Sequence, residues 1–517
     1  MKVQSLSVEG LERTAAPPIG RRDEAIGGTP GALIVLAFVA AFVAILTVYF
    51  AISEAPAAIH HDSAEAYAWG REFQLGYPKH PPFWAWICGL WFLVFPRANW
   101  AFALLCSLNA GVGLYGAWML IGNFAGGQKR VAATVLLLLT PFYTFLALKY
   151  NANTIFLSVW PWTLHAFMRS LERRRLVDSM LFGLLIGVAL MSKYYALVLA
   201  AACFFAALQH PSRRRYFTSF SPYLSILVCV AVCAPHVWWL LANGVPSIRY
   251  LAKESGRGIG ATAAFATTAL FGALAQNAVV FVVAAWAAAT GPRQWIAACR
   301  QQWREADFRI LTTLVVAPPL LTIVSGMAIG MKISTNMLVG VFSLAPLLII
   351  GVVGANDIAR LRRVALQLVA ALAVAGLVLS PAIAFARAWF DLGDAVVQPR
   401  RELAEAVTQM WREKMSRPLV YVAGTPQYDT AIVFYSPDRP HLLDGRELSR
   451  SPWITPAALA ADGLLLACLK IDPGCLAAAA KFATADSIQT EVSLARQAFG
   501  RKGPSVDFII TMVAPRG

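Results

Sequence analysis

Two short runs near the first apolar segment gather more ionisable chemistry than folding requires: His60-His61-Asp62-Ser63-Ala64-Glu65 and Gly76-Tyr77-Pro78-Lys79-His80-Pro81-Pro82. Together they hold two carboxylates, three histidines and a lysine. A carboxylate at such a position suits a general base that deprotonates an attacking hydroxyl. Where the leaving group is a phosphate, which departs without a general acid, one carboxylate suffices, unlike the pair used in ordinary glycoside hydrolysis. Asp62 is the candidate base. Glu65, three residues on, shares its helix face if the segment is helical, and either orients Asp62, substitutes for it, or simply caps and solvates. Pro81 fixes His80 as extended, so its side chain is aimed, toward a sugar or phosphate or toward an ordinary structural hydrogen bond. Asp62, His60, His61 and His80 are able to ligate a metal, but their spacing specifies no ion, so the metal is unknown and no cofactor is assigned beyond an open divalent-cation reading. Walker, Rossmann and zinc-finger patterns are absent.

The elements that must position these residues are membrane helices. Hydrophobic residues make up 58% of the 517, charged residues 14%, and mean hydropathy is +0.59. A soluble domain of that composition could not keep its surface wet. Expected spans are Gly31–Ala51, Ala98–Phe124, Val131–Leu148, Thr154–Met168, Met180–Met191, Tyr195–Leu208, Tyr223–Leu241, Ala263–Ala288, Ile310–Ile329, Asn336–Val353 and Leu366–Phe385. The run Pro82–Phe95 is aromatic but short and bounded by proline, which favours an interfacial helix.

The net charge of +16 comes from Lys and Arg in short clusters between apolar runs, such as Lys129/Arg130, Arg173/Arg174/Arg175, Arg213/Arg214/Arg215, Arg293/Arg300/Arg304 and Arg360/Arg362/Arg363. That is the positive-inside pattern and excludes a nucleic-acid footprint. The clusters fall on one side with Arg21 and Arg22, which predicts a cytoplasmic segment 1–30. The odd number of spans then places the 53–97 loop and the C-terminal domain on the opposite, periplasmic face of a bacterial inner membrane. This parity needs a break at Ser192-Lys193. An ammonium at such a break is costly unless it meets an anion or snorkels to the headgroups, so Lys193 is the leading phosphate contact. Lys79, Lys149, Arg249, Lys253, Arg257 and Lys332 share that side.

After the transmembrane region 31–390 the composition turns soluble. In residues 391–517 a helix expected over Arg400–Lys414 is followed by strand candidates at Leu419–Gly424, His441–Leu443, Leu464–Leu469 and Phe508–Met512, with a helix near Asp429–Tyr435. This reads as a small α/β domain. Cys468 and Cys475 lie within it, either as a short-loop disulfide or as a buried unpaired couple; the other six cysteines read as small buried hydrophobes.

The order and spacing of several stretches resemble the membrane glycosyltransferases of the C-type fold, namely bacterial relatives of the dolichyl-phosphate-mannose protein mannosyltransferases (family 39) and of the lipid A aminoarabinose transferases. The stretches are Asp62 followed by Ala64, Trp69, Gly76-Tyr77 and His80-Pro81-Pro82; Gly183–Tyr194; Pro235-His236-Val237-Trp238-Trp239 with Asn243-Gly244; and Gly330-Met331-Lys332. The family's outer loop carries Asp-Glu, and here Ser63 stands where the Glu falls. The resemblance implies Asp62 as catalytic base and Lys193 on the donor phosphate; the eleven expected transmembrane helices suit that fold, and His80, Lys79, Tyr77, Tyr194 and Lys332 are further candidates for donor contact. It also implies a polyprenyl-phosphate sugar donor and inverting transfer to a lipid, glycan or protein acceptor. A transporter or flippase of lipid-linked sugars is the rival. It would place charge at the bilayer midplane in repeated halves, and no repeat is visible. A polyprenyl-linked polymerase or ligase would keep its charges in later outer loops.

Overall fold

The computed structural model describes residues 30–288, 292–353 and 355–516. The expected cytoplasmic segment, with Arg21 and Arg22, lies almost wholly outside them. The membrane region begins with α1 (Ala32–Ser53), followed by two short helices, α2 (His61–Gly70) and α3 (Phe83–Val94), then α4 (Asn99–Ile121) and α5 (Gly127–Leu137). There follow α6 (Phe156–Arg173), α7 (Leu176–Ser192), α8 (Ala196–Gln209), α9 (Arg213–Phe217), α10 (Ser221–Ala242), α11 (Pro246–Glu254), α12 (Ile259–Ala288), α13 (Pro292–Gln302), α14 (Ala306–Ile329), α15 (Ala345–Ile350) and α16 (Ala355–Trp389). Among the described residues six helices are long and apolar enough to cross a membrane: α1, α4, α10, α12, α14 and α16. Shorter apolar helices include α3, α7 and α8. The chain breaks at Lys193 as expected, with α7 ending at Ser192 and α8 starting at Ala196.

Two expected spans are not continuous helices. Over Val131–Leu148, α5 stops at Leu137 and the chain continues as 3-10 turns at Pro141–Tyr143 and Phe145–Leu148. Over Asn336–Val353, 3-10 turns at Thr335–Leu338 and Val341–Leu344 precede the six-residue α15. Pro141 has no amide to donate to a helical ladder, and Gly340 is a poor helix former packed so closely that a Cβ there would meet the Phe156 carbonyl oxygen at 2.6 Å. Both apolar runs are buried, so their hydropathy reflects packing within protein rather than a regular crossing.

Neighbouring elements pack in the pairs α1/α4, α4/α6, α6/α7, α7/α10, α8/α14 and α1/α16. The two helices between α1 and α4, α2 and α3, cross with their backbones in contact. A Cβ at Gly70 would sit 2.1 Å from the Ala85 carbonyl oxygen, and one at Gly89 would sit 2.3 Å from that of Gly70. Trp69 and Trp84 are fully buried at this crossing.

The C-terminal domain comprises α17 (Asp394–Val397), α18 (Arg400–Met415), β1 (Tyr421–Gly424), α19 (Tyr428–Tyr435), β2 (His441–Leu442), α20 (Pro456–Asp462), β3 (Leu464–Leu469), α21 (Pro473–Phe482), β4 (Ile488–Ala498) and β5 (Arg501–Val513). The sheet order is β2-β1-β3-β5-β4, parallel across β2, β1 and β3 and antiparallel from β3 to β4. Cys468 and Cys475 are joined, bridging β3 to α21. The domain docks on the α1–α4 connection that carries α2 and α3. Phe434 of α19 meets the rings of Tyr67, Phe92 and Phe102. Arg71 donates to the carbonyls of Arg439 and Pro440, Arg97 to those of Phe434 and Ser436, and His441 lies 2.8 Å from Glu72.

Candidate active site

The fold brings Asp62 to the start of a helix and closes the turn before α6 over it. His60 caps α2 by accepting the Asp62 amide on Nδ1 at 3.2 Å, which puts Asp62 in the first turn, where a helix favours negative charge. One carboxylate oxygen lies 3.0 Å from His61 Nε2, and the other accepts Asn151 Nδ2 at 2.8 Å. Burial opposes the charge, yet the His61 hydrogen bond, the two imidazoles and Asn151 together outweigh it and hold the carboxyl well below the usual carboxylate range. Burial lowers His60 to about 4 against the pull of Asp62, so it is neutral at pH 7, in keeping with an Nδ1 that accepts a hydrogen bond.

Asn151 is itself held in place. Its Oδ1 accepts the amides of Asn153 at 2.8 Å and Thr154 at 3.0 Å, and Thr154 Oγ1 donates to the Lys149 carbonyl at 2.5 Å. Such a side-chain-closed turn leaves the amide Nδ2 free to point at Asp62. Asn153, two residues on, accepts the Lys193 ammonium at 2.6 Å, and Asp62 is the carboxylate near enough to act on that charge. Two asparagines therefore tie the candidate base to the cation at the α7–α8 break.

The other candidates separate. Lys79 pairs with Glu65, whose charge raises the ammonium further above its ordinary range. Glu65 is thus engaged by Lys79, and Asp62 has His61 and Asn151 instead. Burial and the flanking charges of Lys193 and Lys79 hold His80 down to about 3, leaving a neutral imidazole beside Trp84 and Tyr250. Tyr77 is buried, stacked on Trp69, and its hydroxyl donates to the Trp69 carbonyl at 2.6 Å. Tyr194 pairs with His236 Nε2 at 2.8 Å, and His236 Nδ1 meets the Leu75 carbonyl at 2.7 Å, which fastens the α7–α8 break to the segment between α2 and α3. Lys332 lies over the Phe265 ring at 5.5 Å, with no contact to the Asp62 cluster among the described residues.

His60, His61 and Asp62 each offer a ligand atom, all within 4.8 Å of one another. Two imidazoles and a carboxylate are a reasonable donor set for a divalent transition metal. In this geometry His60 Nδ1 serves the Asp62 amide and His61 serves the carboxylate, so the trio is satisfied by its own contacts and no chemical step is drawn through an ion. Beside Asp62 a cavity of ≈ 520 Å³ opens between α2 and the C-terminal domain, lined by Asp62, Glu65 and Lys79 on one side and by Asp429, Asp444 and Arg446 among others on the second.

The family model described as dolichyl-phosphate-mannose-protein mannosyltransferase matches residues 79–239. The solved structure of ArnT from Cupriavidus metallidurans bound to undecaprenyl phosphate superposes with a TM-score of 0.58 at 15% identity, covering 93% of this chain and 98% of that one. The same protein in its apo state gives 0.58, covering 92% and 98%. Over residues 79–239 the chain is similar to that mannosyltransferase family, and its fold is that of the ArnT structures. The lipopolysaccharide core galacturonosyltransferase RgtB of Rhizobium johnstonii is 28% identical over 196 residues, which is 35% of this chain and 37% of that relative's length. The mannosyltransferase match takes in Lys79, His80 and Lys193 but begins after Asp62.

Sequence reasoning passed over Asn151 and Asn153. The visible signal was Asn151-Ala152-Asn153-Thr154, four small or amide residues between apolar runs. It also passed over Asp429, Asp444 and Arg446, which come together with Asp62 only through domain docking and carry no local signal.

Proposed function

We propose that the protein is an inverting glycosyltransferase that moves a sugar from a polyprenyl-phosphate donor to a lipid, glycan or protein acceptor at the periplasmic face of the inner membrane. The observation that carries this reading is an ionised Asp62 linked through Asn151 and Asn153 to the Lys193 ammonium. A base for the nucleophile and a cation for a departing phosphate stand together where a lipid headgroup meets the first outer loop. In the reaction the acceptor oxygen attacks the anomeric carbon, the bond from that carbon to the phosphate oxygen breaks, and the phosphate leaves with the electron pair toward Lys193. The hydroxyl proton passes to Asp62. A carboxylate of such low proton affinity takes the proton late, once bond formation has acidified the hydroxyl.

The relatives support the substrate class: ArnT was solved with undecaprenyl phosphate, and RgtB is a lipopolysaccharide core galacturonosyltransferase. The basic clusters support a cytoplasmic N-terminus, a membrane unit over 31–390 and a periplasmic α/β domain over 391–517, and the Cys468–Cys475 bridge suits an oxidising compartment. Transfer from radiolabelled polyprenyl-phosphate sugars in proteoliposomes tests the reading. Asp62→Asn should abolish transfer while keeping donor binding. Unchanged transfer in that variant removes Asp62 from the mechanism, and a wild type that translocates donor without transferring sugar establishes the flippase reading instead.

A further inference from the structure

The cavity beside Asp62 has an outer wall with two polar groups that the fold leaves unused. That wall comes from the loop between β1 and α19, with the first residues of α19, and from the turns after β2. Asp429 is 5% exposed; its Oδ1 accepts the Thr430 amide at 2.7 Å, and Oδ2 has no partner among the described residues. Thr430 is 7% exposed, and its Oγ1 is buried with no hydrogen-bond partner. A buried hydroxyl left unpaired costs stability unless something outside the protein pairs it. The neighbouring wall groups are satisfied: Arg450 binds Asp444 through two nitrogens at 2.9 and 3.1 Å, and Arg446 donates to the Gly424 carbonyl. The two unused groups are adjacent in sequence and line the same cavity as Asp62.

We infer that this cavity is the acceptor subsite, that the acceptor group it takes is a saccharide, and that Asp429 and Thr430 select it by pairing with hydroxyls next to the one that reacts. The volume falls within the range of small-ligand sites, roughly 300–1,000 Å³. Its lining is dominated by hydrogen-bonding and charged side chains, as a ring of hydroxyls requires. A protein acceptor would instead seek a sheet edge or an apolar groove, and the cavity offers neither. Lys193 and His80 do not line it, so the proposed phosphate contact stands outside this cavity while Asp62 faces it. Burial pushes the Asp429 carboxyl up to about 7, against its hydrogen bond from the Thr430 amide, with Asp444 raising it and Lys79 and Arg446 lowering it. Near neutrality it both donates and accepts, which suits a hydroxyl partner.

The inference deepens the transferase reading, and its test does not need turnover. Full-length protein in detergent is titrated with oligosaccharide released from lipopolysaccharide core, and separately with a Ser/Thr-containing peptide. Wild type should bind the oligosaccharide, with affinity falling about tenfold in Thr430→Val and in Asp429→Leu, the loss of one or two hydrogen bonds. Thr430→Ser should restore it, which a packing defect would not allow, and polyprenyl-phosphate binding should stay unchanged in all three variants. Oligosaccharide binding that is absent in wild type or indifferent to both substitutions overturns the assignment, as does binding of the peptide through these residues or a selective loss of polyprenyl-phosphate binding. Asp62→Asn separates the two claims: if it leaves transfer intact the base assignment falls, whereas oligosaccharide binding by that variant bears only on the subsite.

Discussion

Replacing Asn151 with Asp changes one atom type beside Asp62 and leaves the turn its acceptor. The substituted carboxylate still accepts the amides of Asn153 and Thr154, but the nitrogen that donates to Asp62 at 2.8 Å becomes an oxygen. Losing a hydrogen bond to a charged group costs about 1.5–3 kcal/mol, and the lower end applies here because the Asp62 side chain is 34% exposed. That is about one pKa unit, at roughly 1.36 kcal/mol each. Repulsion between two carboxylates some 4 Å apart adds about 4 kcal/mol at an effective dielectric near 20, or about three units more. The wild-type carboxyl is depressed, so the contribution of its charge is present at neutral pH and is lost only as pH falls well below the usual carboxylate range. In the variant the coupled pair shares a proton at a much higher pH, and the acid limb moves up to about pH 5–6. The ratio of variant to wild-type kcat/KM, measured in proteoliposomes across pH 5–8.5, should therefore drop about tenfold toward the acid end. A ratio that stays flat with pH would refute the claim that Asn151 sets the ionisation of the base.

Lys193→Gln keeps a polar partner for Asn153 but removes the charge, so the KM for the polyprenyl-phosphate donor should rise at least tenfold, the equivalent of one charge-assisted bond. Gly70→Ala drives a methyl group against the Ala85 carbonyl, which should cost about 1–3 kcal/mol and lower the Tm in detergent, whereas a surface Gly→Ala control should not. Arg71→Ala removes two hydrogen bonds from the domain junction, and limited proteolysis should then release the C-terminal domain faster than in wild type. Because burial raises Asp429 in the folded state, stability is greatest below pH 4 for this group and is lost as pH rises to about 7. Asp429→Asn should therefore raise the Tm at pH 8 relative to wild type and leave it nearly unchanged at pH 3, where the carboxyl is protonated in both states.

Asp62 and Lys193 stood out in the sequence because one sits in a dense cluster of ionisable residues and the other at a helix break where the membrane makes charge costly. Their connection did not. Asn151 and Asn153 are neutral, short and common in turns, so nothing in their type separates an amide that closes a turn from one that also reaches across to the proposed base. Glu65 shares a helix and a cavity with Asp62, as its spacing led one to expect, and what the sequence did not show is its ion pair with Lys79, fourteen residues on. Hydropathy located the helices around the site but could not distinguish a crossing helix from the buried, proline-broken run at Val131–Leu148, because both bury the same apolar side chains. In the C-terminal domain β1, β2, β3 and the end of β5, at Phe508–Met512, were visible as apolar runs. β4 was missed because its inward and outward residues alternate, a period-two signal that run length does not detect. The outer wall of the cavity lies beyond any such local reading. Asp429 and Thr430 look like the first turn of a short helix, and they become part of a site only when Phe434, on the same helix, packs among Tyr67, Phe92 and Phe102. The aromatic contact that docks the domain is therefore also what completes the site, which is why a substitution at Phe434 should impair acceptor binding as well as docking.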